Sequence, residues 1–414
     1  PVGVGPDPKL PPPNKDGWIP NVNVAPAEGW PQGAMPTAPA GFRVTALATG
    51  LEHPRNVYTL PNGDVLVAES NHPPPLNGEK DKMAQGIKGK GMKWEYKRAG
   101  AGVESPNKII LLRDADGDGV AETKTVFMSN LFSPFGMVLV GDTLYIADAD
   151  AILKVPYKSG ETQVTDKPVK VADLPSGANH HWTKYVVASP DGKKLYATVG
   201  SDSNIGDNGM AAEEGRAAVW EIDIATGSKR LYASGIRNPT ALAWEPQSKT
   251  LWVVANERDE LGNDLVPDYL TSVKEGAFYG WPWSYWGQHV DSRVKPQNPQ
   301  MVAKAIPPDY GLGSHVAPLG LTFSDSRMPA NYASGAFIGE HGSWNRKPFA
   351  GYEVAFVPFA NGRPSGPPED FLRGFLSKDG KAYGRPVGVA IDGKGALVVA
   401  DDVGNVVWRV APAS

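Results

Sequence analysis

The sequence predicts an all-β protein, a six-bladed β-propeller of four-stranded antiparallel blades with long functional loops at one end. The chain contains 47 Gly and 39 Pro among its 414 residues, and this turn-rich composition favours many short strands over long helices. One unit, a polar loop followed by a strand, a turn and a second strand, recurs six times at a spacing of roughly 66 residues. Each interval contains further strand-like segments, such as residues 108–112 and 218–223, which is enough for about four strands per unit.

The six units share a polar loop that leads into an apolar strand. In the first unit the loop 51–56 precedes the turn 61–64 and the strand 65–69. The polar loops of the other units are residues 132–135, 179–181, 236–239, 314–318 and 383–386. Radial repetition of blades protects the edges of their sheets. Neither a sandwich nor several domains would explain why the same unit recurs at a regular spacing along the whole chain. Residues 406–410 are expected to complete a blade with residues 42–47 and so to close the ring.

Two regions and three insertions organise the chain. Residues 1–40 are predicted to be a proline-rich N-terminal arm lying over the main body, with a disordered leader as the alternative, and residues 41–414 a catalytic propeller domain. The insertions are the Lys- and Gly-rich segment 71–106, the aromatic segment 257–313 and the segment 341–382. A solvated loop with a short helix is the simplest interpretation of the first, whereas long insertions on a regular scaffold are usually functional.

Composition excludes several classes of protein. The chain has no Cys, so disulfides, thiolate zinc sites, Fe–S clusters and cysteine nucleophiles are absent. A formal net charge of −4 gives no reason to expect nucleic acid or an anionic membrane as a partner. No apolar run approaches the ~20 residues of a membrane span. Phosphate-binding glycine loops, zincin motifs, nucleophile elbows and a dinucleotide-binding Rossmann unit are also not found.

Polar residues at the same position in each repeat unit, that is, at equal phase, are expected to meet at one end of the propeller axis. This is because equivalent blades place equivalent loops at equal height along the axis. The loops before the first strand of each unit supply His53, Arg55, Asn56, Ser133, Phe135, His180, His181, Arg237, Asn238, His315 and Arg385. The loops after the second strand supply Glu69, Asp148, Ser201, Asp202, Asn256, Glu257, Glu340, His341, Asp401 and Asp402. Several His and Arg around one axis predict an anion site, whereas a polar tunnel that holds only water is the alternative.

His181 is the candidate general base of this site. The pKa of histidine lies near neutrality, which suits proton abstraction. Asn179 lies in the same loop, and Asp202 lies in the loop after the second strand of the same unit. A buried structural histidine is the alternative, and the phase that His181 shares with Arg237 favours the functional interpretation.

A candidate calcium loop lies at Asp114-Ala-Asp-Gly-Asp-Gly-Val-Ala-Glu122. Asp114, Asp116 and Asp118 alternate with small residues, and calcium prefers several oxygen ligands at a tight turn. The segment lacks the full 12-residue spacing of an EF-hand loop. A plain hairpin turn between two strands therefore remains the alternative.

The sequence resembles the soluble sugar dehydrogenases that use pyrroloquinoline quinone (PQQ), six-bladed enzymes that act on glucose and other aldoses, and it is most similar to their L-sorbosone dehydrogenase-like branch. The resemblance spans about residues 41–410. The motifs that carry it are His181 ahead of a Pro-Asp-Gly turn, Gly235-Ile-Arg-Asn-Pro239, Phe278-Tyr-Gly-Trp-Pro282, Tyr383-Gly-Arg-Pro386 and Ala400-Asp-Asp-Val-Gly-Asn405.

The resemblance implies a mechanism and a set of site residues. His181 would take the hydroxyl proton of the sugar carbon being oxidised, with Asp202 as a candidate third catalytic residue, and a hydride would pass to the quinone carbon C5. Arg237 would stabilise the charge on the reduced quinone. The cofactor would be held by Asn238, Arg385, Asp401 and either Arg346 or Lys347, and by phase we add Arg55 and His315.

Calcium is the second cofactor that the resemblance implies. It would polarise the quinone, and by position its protein ligands would be the backbone carbonyls of Arg258 and Asp259. This chain departs from the glucose enzymes, which carry Gly-Pro at these two positions. Those enzymes also have an arginine where this chain has Tyr383 and an acidic residue where it has Ser201. They offer no counterpart for Arg55. The resemblance also implies a periplasmic or secreted protein that passes electrons to an external cytochrome, quinone or dye.

Two other functions compete with sugar oxidation. A calcium-dependent lactonase on a six-bladed propeller would need Glu, Asn and Asp side chains on an axial metal, whereas this axis is rich in Arg and His. A non-catalytic propeller could bind sugars or proteins with Trp281, Trp283 and Trp286 as stacking platforms, but it would leave His181 and Arg237 without a role.

Overall fold

The computed structural model describes residues 2–14, 22–74, 94–95, 97–177 and 181–414. In these residues six antiparallel sheets are arranged as the blades of a propeller, each with four principal strands. The predicted fold class is therefore confirmed. Helical structure in the described residues is short, and it includes the α-helix Pro299–Val302 and the 3-10 turns Met210–Glu213 and Ala330–Tyr332.

The first three blades follow one another along the chain. Blade 1 consists of the strands Pro54–Thr59, Val65–Glu69, Lys108–Arg113 and Thr123–Met128. Blade 2 consists of Met137–Val140, Thr143–Ala147, Ala151–Pro156 and Val169–Asp173. Blade 3 consists of Val186–Ala188, Lys194–Val199, Ala218–Asp223 and Lys229–Ser234.

The last three blades carry additional strands and close the ring. Blade 4 consists of Asn238–Trp244, Leu251–Asn256, Pro267–Ser272 and Tyr310–Ser314, with Val4–Gly5 on its outer edge and the hairpin Ser284–Tyr285 and His289–Val290 in the insertion between its third and fourth strands. Blade 5 consists of Pro318–Phe323, Gly335–Glu340, Glu353–Ala360 and Glu369–Leu372, and Arg363–Pro364 pairs with its third strand. Blade 6 consists of Pro386–Ile391, Leu397–Asp401, Val406–Pro412 and the N-terminal strand Phe42–Ala48.

The ring closes as the sequence predicts, because Phe42–Ala48 pairs with Val406–Pro412 in the register Val44 to Val410. Blades pack on each other through apolar clusters, one at each of the six interfaces. The cluster between blades 5 and 6 contains Phe356 and Trp408, and the cluster between blades 1 and 2 contains Phe127. Each buried side chain of this size contributes ~1.5–3 kcal/mol relative to an exposed one, so the interfaces stabilise the ring.

The described parts of the N-terminal segment lie against the propeller. Val4 pairs with Leu312 on blade 4, and Asn23 and Thr37 form bridges with Asn345 and Arg373. The division of the chain at residues 40 and 41 stays a prediction. Most of the lysine-rich insertion lies outside the described residues, and none of the described helices is long and apolar enough to cross a membrane.

Candidate functional site

His181 lies in the loop before blade 3, where it is almost fully buried. Its Nδ1 is 3.1 Å from the carbonyl oxygen and 3.0 Å from Oγ of Ser201, and Oγ of Ser201 itself donates to the carbonyl oxygen of Ser203. Since a carbonyl oxygen can only accept, Nδ1 carries the proton and donates it to Ser201. In the neutral ring Nε2 is then the unprotonated nitrogen, the form that a general base requires.

Ser201, the residue before Asp202, is therefore the partner that sets the tautomer of His181. The carboxylate of Asp202 accepts a 2.7 Å hydrogen bond from Nδ2 of Asn208, and its backbone N–H donates to the buried carboxylate of Glu213. This arrangement directs Asp202 to its own loop, and its predicted catalytic role is not supported by a contact here. Asn179 and His180 lie outside the described residues.

Asn238 lies beside His181 at the start of blade 4. Gly200 makes this approach possible, because a Cβ at residue 200 would lie 2.5 Å from Oδ1 of Asn238 and 2.6 Å from Cβ of His181. Oδ1 of Asn238 is buried and accepts no hydrogen bond from the described residues. A buried acceptor without a donor is costly, so this atom suits a ligand that brings an N–H, an O–H or water.

Arg237 is buried one residue earlier and lies next to the His181 loop, because its carbonyl oxygen accepts a hydrogen bond from the N–H of Ser201 at 2.8 Å. Its guanidinium donates from Nη1 to the carbonyl oxygen of Glu257 at 2.8 Å and from Nε to that of Asn204 at 3.2 Å. Nη2 is 3.6 Å from Oδ2 of Asp259. The cation is thus held in place from three directions.

His315 joins the same group through Asp259. Its Nδ1 is 3.4 Å from Oδ1 of Asp259, and its Nε2 donates to the carbonyl oxygen of Gly262 at 2.9 Å. Burial is the largest single effect and opposes the charge on both partners, but the combined attractions outweigh it. Asp259 and Asp268 raise the pKa of His315, and His315 and Arg237 hold the pKa of Asp259 well below its usual range. The result is a buried network of Arg237, Asp259 and His315.

One of the two predicted calcium ligands, the carbonyl oxygen of Asp259, is engaged by protein donors in this arrangement. The carbonyl oxygen of Asp259 already accepts from Nε of Arg258 at 2.9 Å and from Nδ2 of Asn204 at 3.3 Å. Arg258 is fully buried, and its guanidinium is paired with Asp291. N–H donors therefore point at one of the two oxygens that the prediction assigns to calcium, and this site stays a prediction.

A second buried group forms around Asp402, where blades 1, 5 and 6 meet. Its carboxylate accepts from Nη1 of Arg55 at 2.6 Å and from Nε2 of His341 at 2.8 Å, and Nε2 of His53 is 3.7 Å away. Burial alone would raise the pKa of Asp402, but His341, His53 and Arg55 lower it well below its usual range. Burial, together with the nearby cation of Arg385, lowers the pKa of His341 to about 3.

Arg55 connects this second group with the His181 loop. Its guanidinium carbon lies 5.5 Å from the ring centre of Trp182 and 6.0 Å from that of Phe135, distances that allow cation–π attraction. Its Nε is buried without a hydrogen-bond partner in the described part of the chain. Arg55 therefore presents a donor beside Trp182, the residue that follows His181, and its predicted role in binding the cofactor stays a prediction.

Arg385 is fully buried between two aromatic rings. Its Nε and Nη2 donate to the carbonyl oxygens of His341 and Gly342 at 2.8 and 3.0 Å. Its guanidinium carbon is 5.2 Å from the ring centres of both Trp344 and Tyr352. The sequence identifies Arg385 through its phase, but Trp344 and Tyr352 lie in the third insertion, where no repeat could reveal them.

Asp401 has a role that differs from the predicted one. Its Oδ1 accepts from the backbone N–H groups of Arg385, Val403 and Gly404, and its Oδ2 accepts from the indole N–H groups of Trp30 and Trp408. Five donors occupy a carboxylate with about four lone-pair sites. Asp401 therefore orients Arg385 and does not face a ligand, and the neighbouring Asp402 is the residue that meets the cationic side chains.

Arg346 and Lys347 lie where two insertions touch. Nη1 of Arg346 is 2.7 Å from Oδ1 of Asp264 and also contacts the carbonyl oxygen of Asn263. The backbone N–H of Lys347 donates to the side chain of Asn263, while the lysine side chain is exposed. Arg346 thus connects the insertion after residue 341 to the loop of Arg258 and Asp259.

The acidic loop Asp114 to Glu122 joins the third and fourth strands of blade 1, at the opposite end of the propeller from His181. Carboxylate oxygens of Asp114, Asp116, Asp118 and Glu122 lie within 4.8 Å of one another. The hydrogen bond that Asp116 shares with Glu122 raises the pKa of Asp116 to about 6. These oxygens are of the type that calcium prefers, but they are distant from the axial site.

The aromatic insertion does not form an exposed platform. Trp281 and Trp286 are buried, and their indole N–H groups donate to the carbonyl oxygens of Asn204 and Pro267. Trp283 alone is half-exposed. The insertion therefore supports the loop of Asn204, which contacts Arg237, rather than offering three stacking surfaces.

The model of the TrAA12-like family matches residues 103–272 and 287–412, which together make up more than two thirds of the chain. An uncharacterized protein of Borreliella burgdorferi (strain B31) is 29% identical over 292 residues, which cover 68% of this chain and 76% of that protein.

Solved structures show the same fold at low sequence identity. The holo form of the pyranose dehydrogenase PQQ domain from Coprinopsis cinerea superposes with a TM-score of 0.72 and 19% identity, over 94% of this chain and 100% of that one. The calcium structure of a Trichoderma reesei enzyme of carbohydrate-active family AA12 gives a TM-score of 0.72 and 18% identity, over 95% and 99% of the two chains.

Proposed function

Because this chain belongs to the TrAA12-like family, we propose that it is an oxidoreductase that oxidises a sugar with PQQ as its cofactor. The observation that carries the proposal is the hydrogen bonding of His181 Nδ1 to Ser201, which fixes the tautomer of the ring in a loop that also contacts Asn238 and the backbone of Arg237. The PQQ domain of the pyranose dehydrogenase supports it, since that domain shares this fold.

The axial residues fit an anionic quinone with carboxylate groups. Arg55, Arg237 and Arg385 are buried cations around the axis, and buried arginines are suited to planar, bidentate carboxylate recognition. Nε of Arg55 and Oδ1 of Asn238 are buried polar atoms without a protein partner among the described residues. A bound cofactor would satisfy both atoms.

In the reaction His181 accepts the hydroxyl proton of the sugar carbon that becomes a carbonyl, and Ser201 holds the ring in the required tautomer. The quinone, when bound, supplies the acceptor for the hydride that leaves the same carbon. Arg237 holds a positive charge beside the site, which stabilises negative charge that develops on an oxygen nearby.

We assign the substrate to the aldoses and aldehyde-type sugars, with L-sorbosone as one candidate, and the electrons to an external cytochrome, quinone or dye. A periplasmic or secreted location belongs to the same proposal. Calcium is not given a step, because N–H donors point at the carbonyl oxygen of Asp259.

Reconstitution tests the proposal. Metal-free protein is incubated with PQQ, with and without calcium, and dye reduction is followed with pyranoses, L-sorbosone and lactones. We expect sugar-dependent dye reduction that requires PQQ and is lost in His181→Ala. Lactone hydrolysis without PQQ, the activity of a propeller lactonase, would overturn the proposal.

A further inference from the structure

We infer that the N-terminal segment 22–30 positions Arg385, and through it the anion-binding end of the axial site. The part of the inference that concerns the cofactor rests on the proposed function. The segment precedes the propeller in sequence, and the residues that carry the proposed chemistry lie more than 150 residues away from it, except Arg55.

Trp30 reaches Arg385 through Asp401. Its indole Nε1 donates to Oδ2 of Asp401 at 2.7 Å, while Oδ1 of the same carboxylate accepts from the backbone N–H of Arg385 at 2.9 Å. The indole packs against Phe375, Tyr383 and Trp408, with ring centroids 5.4, 5.5 and 5.3 Å away. One carboxylate thus connects the N-terminal segment with the backbone of Arg385.

Two glycines show that the chain is built to accept Trp30 at this position. A Cβ at residue 384 would lie 2.2 Å from Oδ2 of Asp401 and 2.7 Å from Nε1 of Trp30. A Cβ at residue 404 would lie 2.5 Å from Oδ2 of Asp401 and 2.5 Å from Cδ1 of Trp30. Gly384 and Gly404 therefore leave the space in which the two side chains meet.

The segment also holds the two rings that enclose the guanidinium of Arg385. The N–H of Asn23 donates to the carbonyl oxygen of Trp344, and the N–H of Ala25 donates to the hydroxyl of Tyr352 at 3.1 Å. Nδ2 of Asn23 donates to the carbonyl oxygen of Arg346 at 2.7 Å. Backbone and guanidinium of Arg385 are thus both supported by residues 22–30.

This arrangement makes Trp30 a positioning residue, because it does not itself face the axis. An arginine whose backbone and aromatic neighbours are fixed loses less freedom when it binds a carboxylate. Loss of the Trp30 hydrogen bond should therefore weaken anion binding at Arg385 without removing any group that contacts the ligand.

The test compares Trp30→Phe with Trp244→Phe in the full chain. Nε1 of Trp244 donates to the carbonyl oxygen of Ala188 at 2.7 Å, so each variant loses one indole hydrogen bond, but only the first lies near Arg385. Two quantities are measured: hydrogen exchange of the peptide that contains residues 383–385 in cofactor-free protein, and the Kd for PQQ by calorimetry.

In Trp30→Phe we expect exchange of the peptide that contains Arg385 to become about tenfold faster and the Kd for PQQ to rise about five- to tenfold, the size of effect expected for one typical hydrogen bond. In Trp244→Phe both quantities should stay within about twofold. Unchanged exchange in Trp30→Phe would overturn the inference, and faster exchange with an unchanged Kd would overturn its link to the cofactor.

If the wild-type protein binds no PQQ, the proposed function fails, whereas the exchange measurement still decides whether the segment positions Arg385. If Trp30→Phe does not fold, Asn23→Ala replaces it, since that variant removes only the side-chain donor to Arg346. It is expected to raise the Kd for PQQ about two- to threefold. A Kd equal to that of Trp244→Phe would contradict the inference.

Discussion

The carbonyl oxygen and the hydroxyl of Ser201 both lie within 3.1 Å of Nδ1 of His181. Ser201 also donates its backbone N–H to the carbonyl oxygen of Arg237. One small residue therefore fixes the protonation of His181 and its distance from the backbone of Arg237. In the proposed reaction His181 accepts a proton and Arg237 stabilises negative charge. Ser201 therefore holds the two residues in a fixed position relative to each other.

This relationship predicts the effects of two neighbouring substitutions. Ser201→Ala removes the hydroxyl but keeps the carbonyl acceptor, so we expect kcat to fall only about three- to tenfold. Asp202→Asn should change kcat less than about twofold, because Asp202 is bonded to Asn208. Steady-state dye reduction measures both. A larger loss in Asp202→Asn than in Ser201→Ala would contradict the assignment of the tautomer to Ser201.

Arg55→Met should destabilise the folded protein strongly. The substitution leaves the buried carboxylate of Asp402 without its 2.6 Å partner, and removal of one member of a buried ion pair typically costs ~3–5 kcal/mol. Urea unfolding measures the loss. Arg327→Met is the control, since the ion pair between Arg327 and Asp325 is largely exposed and should contribute ~1 kcal/mol or less. Equal losses in the two variants would show that Arg55 does not stabilise Asp402.

Lys184 predicts a pH dependence of stability. It is fully buried, its Nζ donates to the carbonyl oxygen of Trp182, and burial followed by the nearby cation of Arg216 lowers its pKa from 10.5 to about 7. Between these two values the unfolded chain binds a proton that the folded chain does not, so the contribution of Lys184 to stability rises with pH through that window.

Lys184→Met removes this contribution. The free energy of unfolding of the wild type minus that of Lys184→Met should therefore be lowest below pH 7 and should increase as the pH is raised towards 10. Urea unfolding of both proteins at pH 6, 8 and 9.5 measures the difference. A difference that is constant, or that decreases with pH, would show that Lys184 keeps its proton in the folded state.

The acidic loop of blade 1 predicts stabilisation by calcium. Its four carboxylates lie within 4.8 Å of one another, so their repulsion should decrease when a dication binds. We expect calcium to raise the Tm of the wild type by a few degrees and to have a much smaller effect on Asp116→Asn. Equal calcium responses in the two proteins would exclude a calcium site at this loop.

The repeat phase of the sequence was sufficient to predict the six blades, the closure by residues 42–47 and 406–410, and the group of polar residues near one end of the axis. Phase could not distinguish Asp401 from Asp402, because consecutive side chains at a strand end point in different directions. Asp401 faces Trp30 and Trp408, whereas Asp402 faces Arg55 and His341.

The contacts that hold Arg385 could not be predicted in the same way. Trp344 and Tyr352 lie in an insertion, and Trp30 lies in a segment with no repeat, so no periodicity placed them near the axis. The glycines at 384 and 404 were visible in the sequence, but only the structure shows which side chains occupy the space they leave. The hydrogen bond from His181 to Ser201 likewise depends on the conformation of two loops.

The most direct test of the account is anaerobic reduction of the bound quinone by a pyranose, followed by absorbance in the wild type and in His181→Gln. Both proteins should bind PQQ with the same Kd within about threefold. The variant should reduce the quinone at least about a hundredfold more slowly, because a general base usually contributes that much. Equal reduction rates in the two proteins would show that His181 is not the base and would contradict the account.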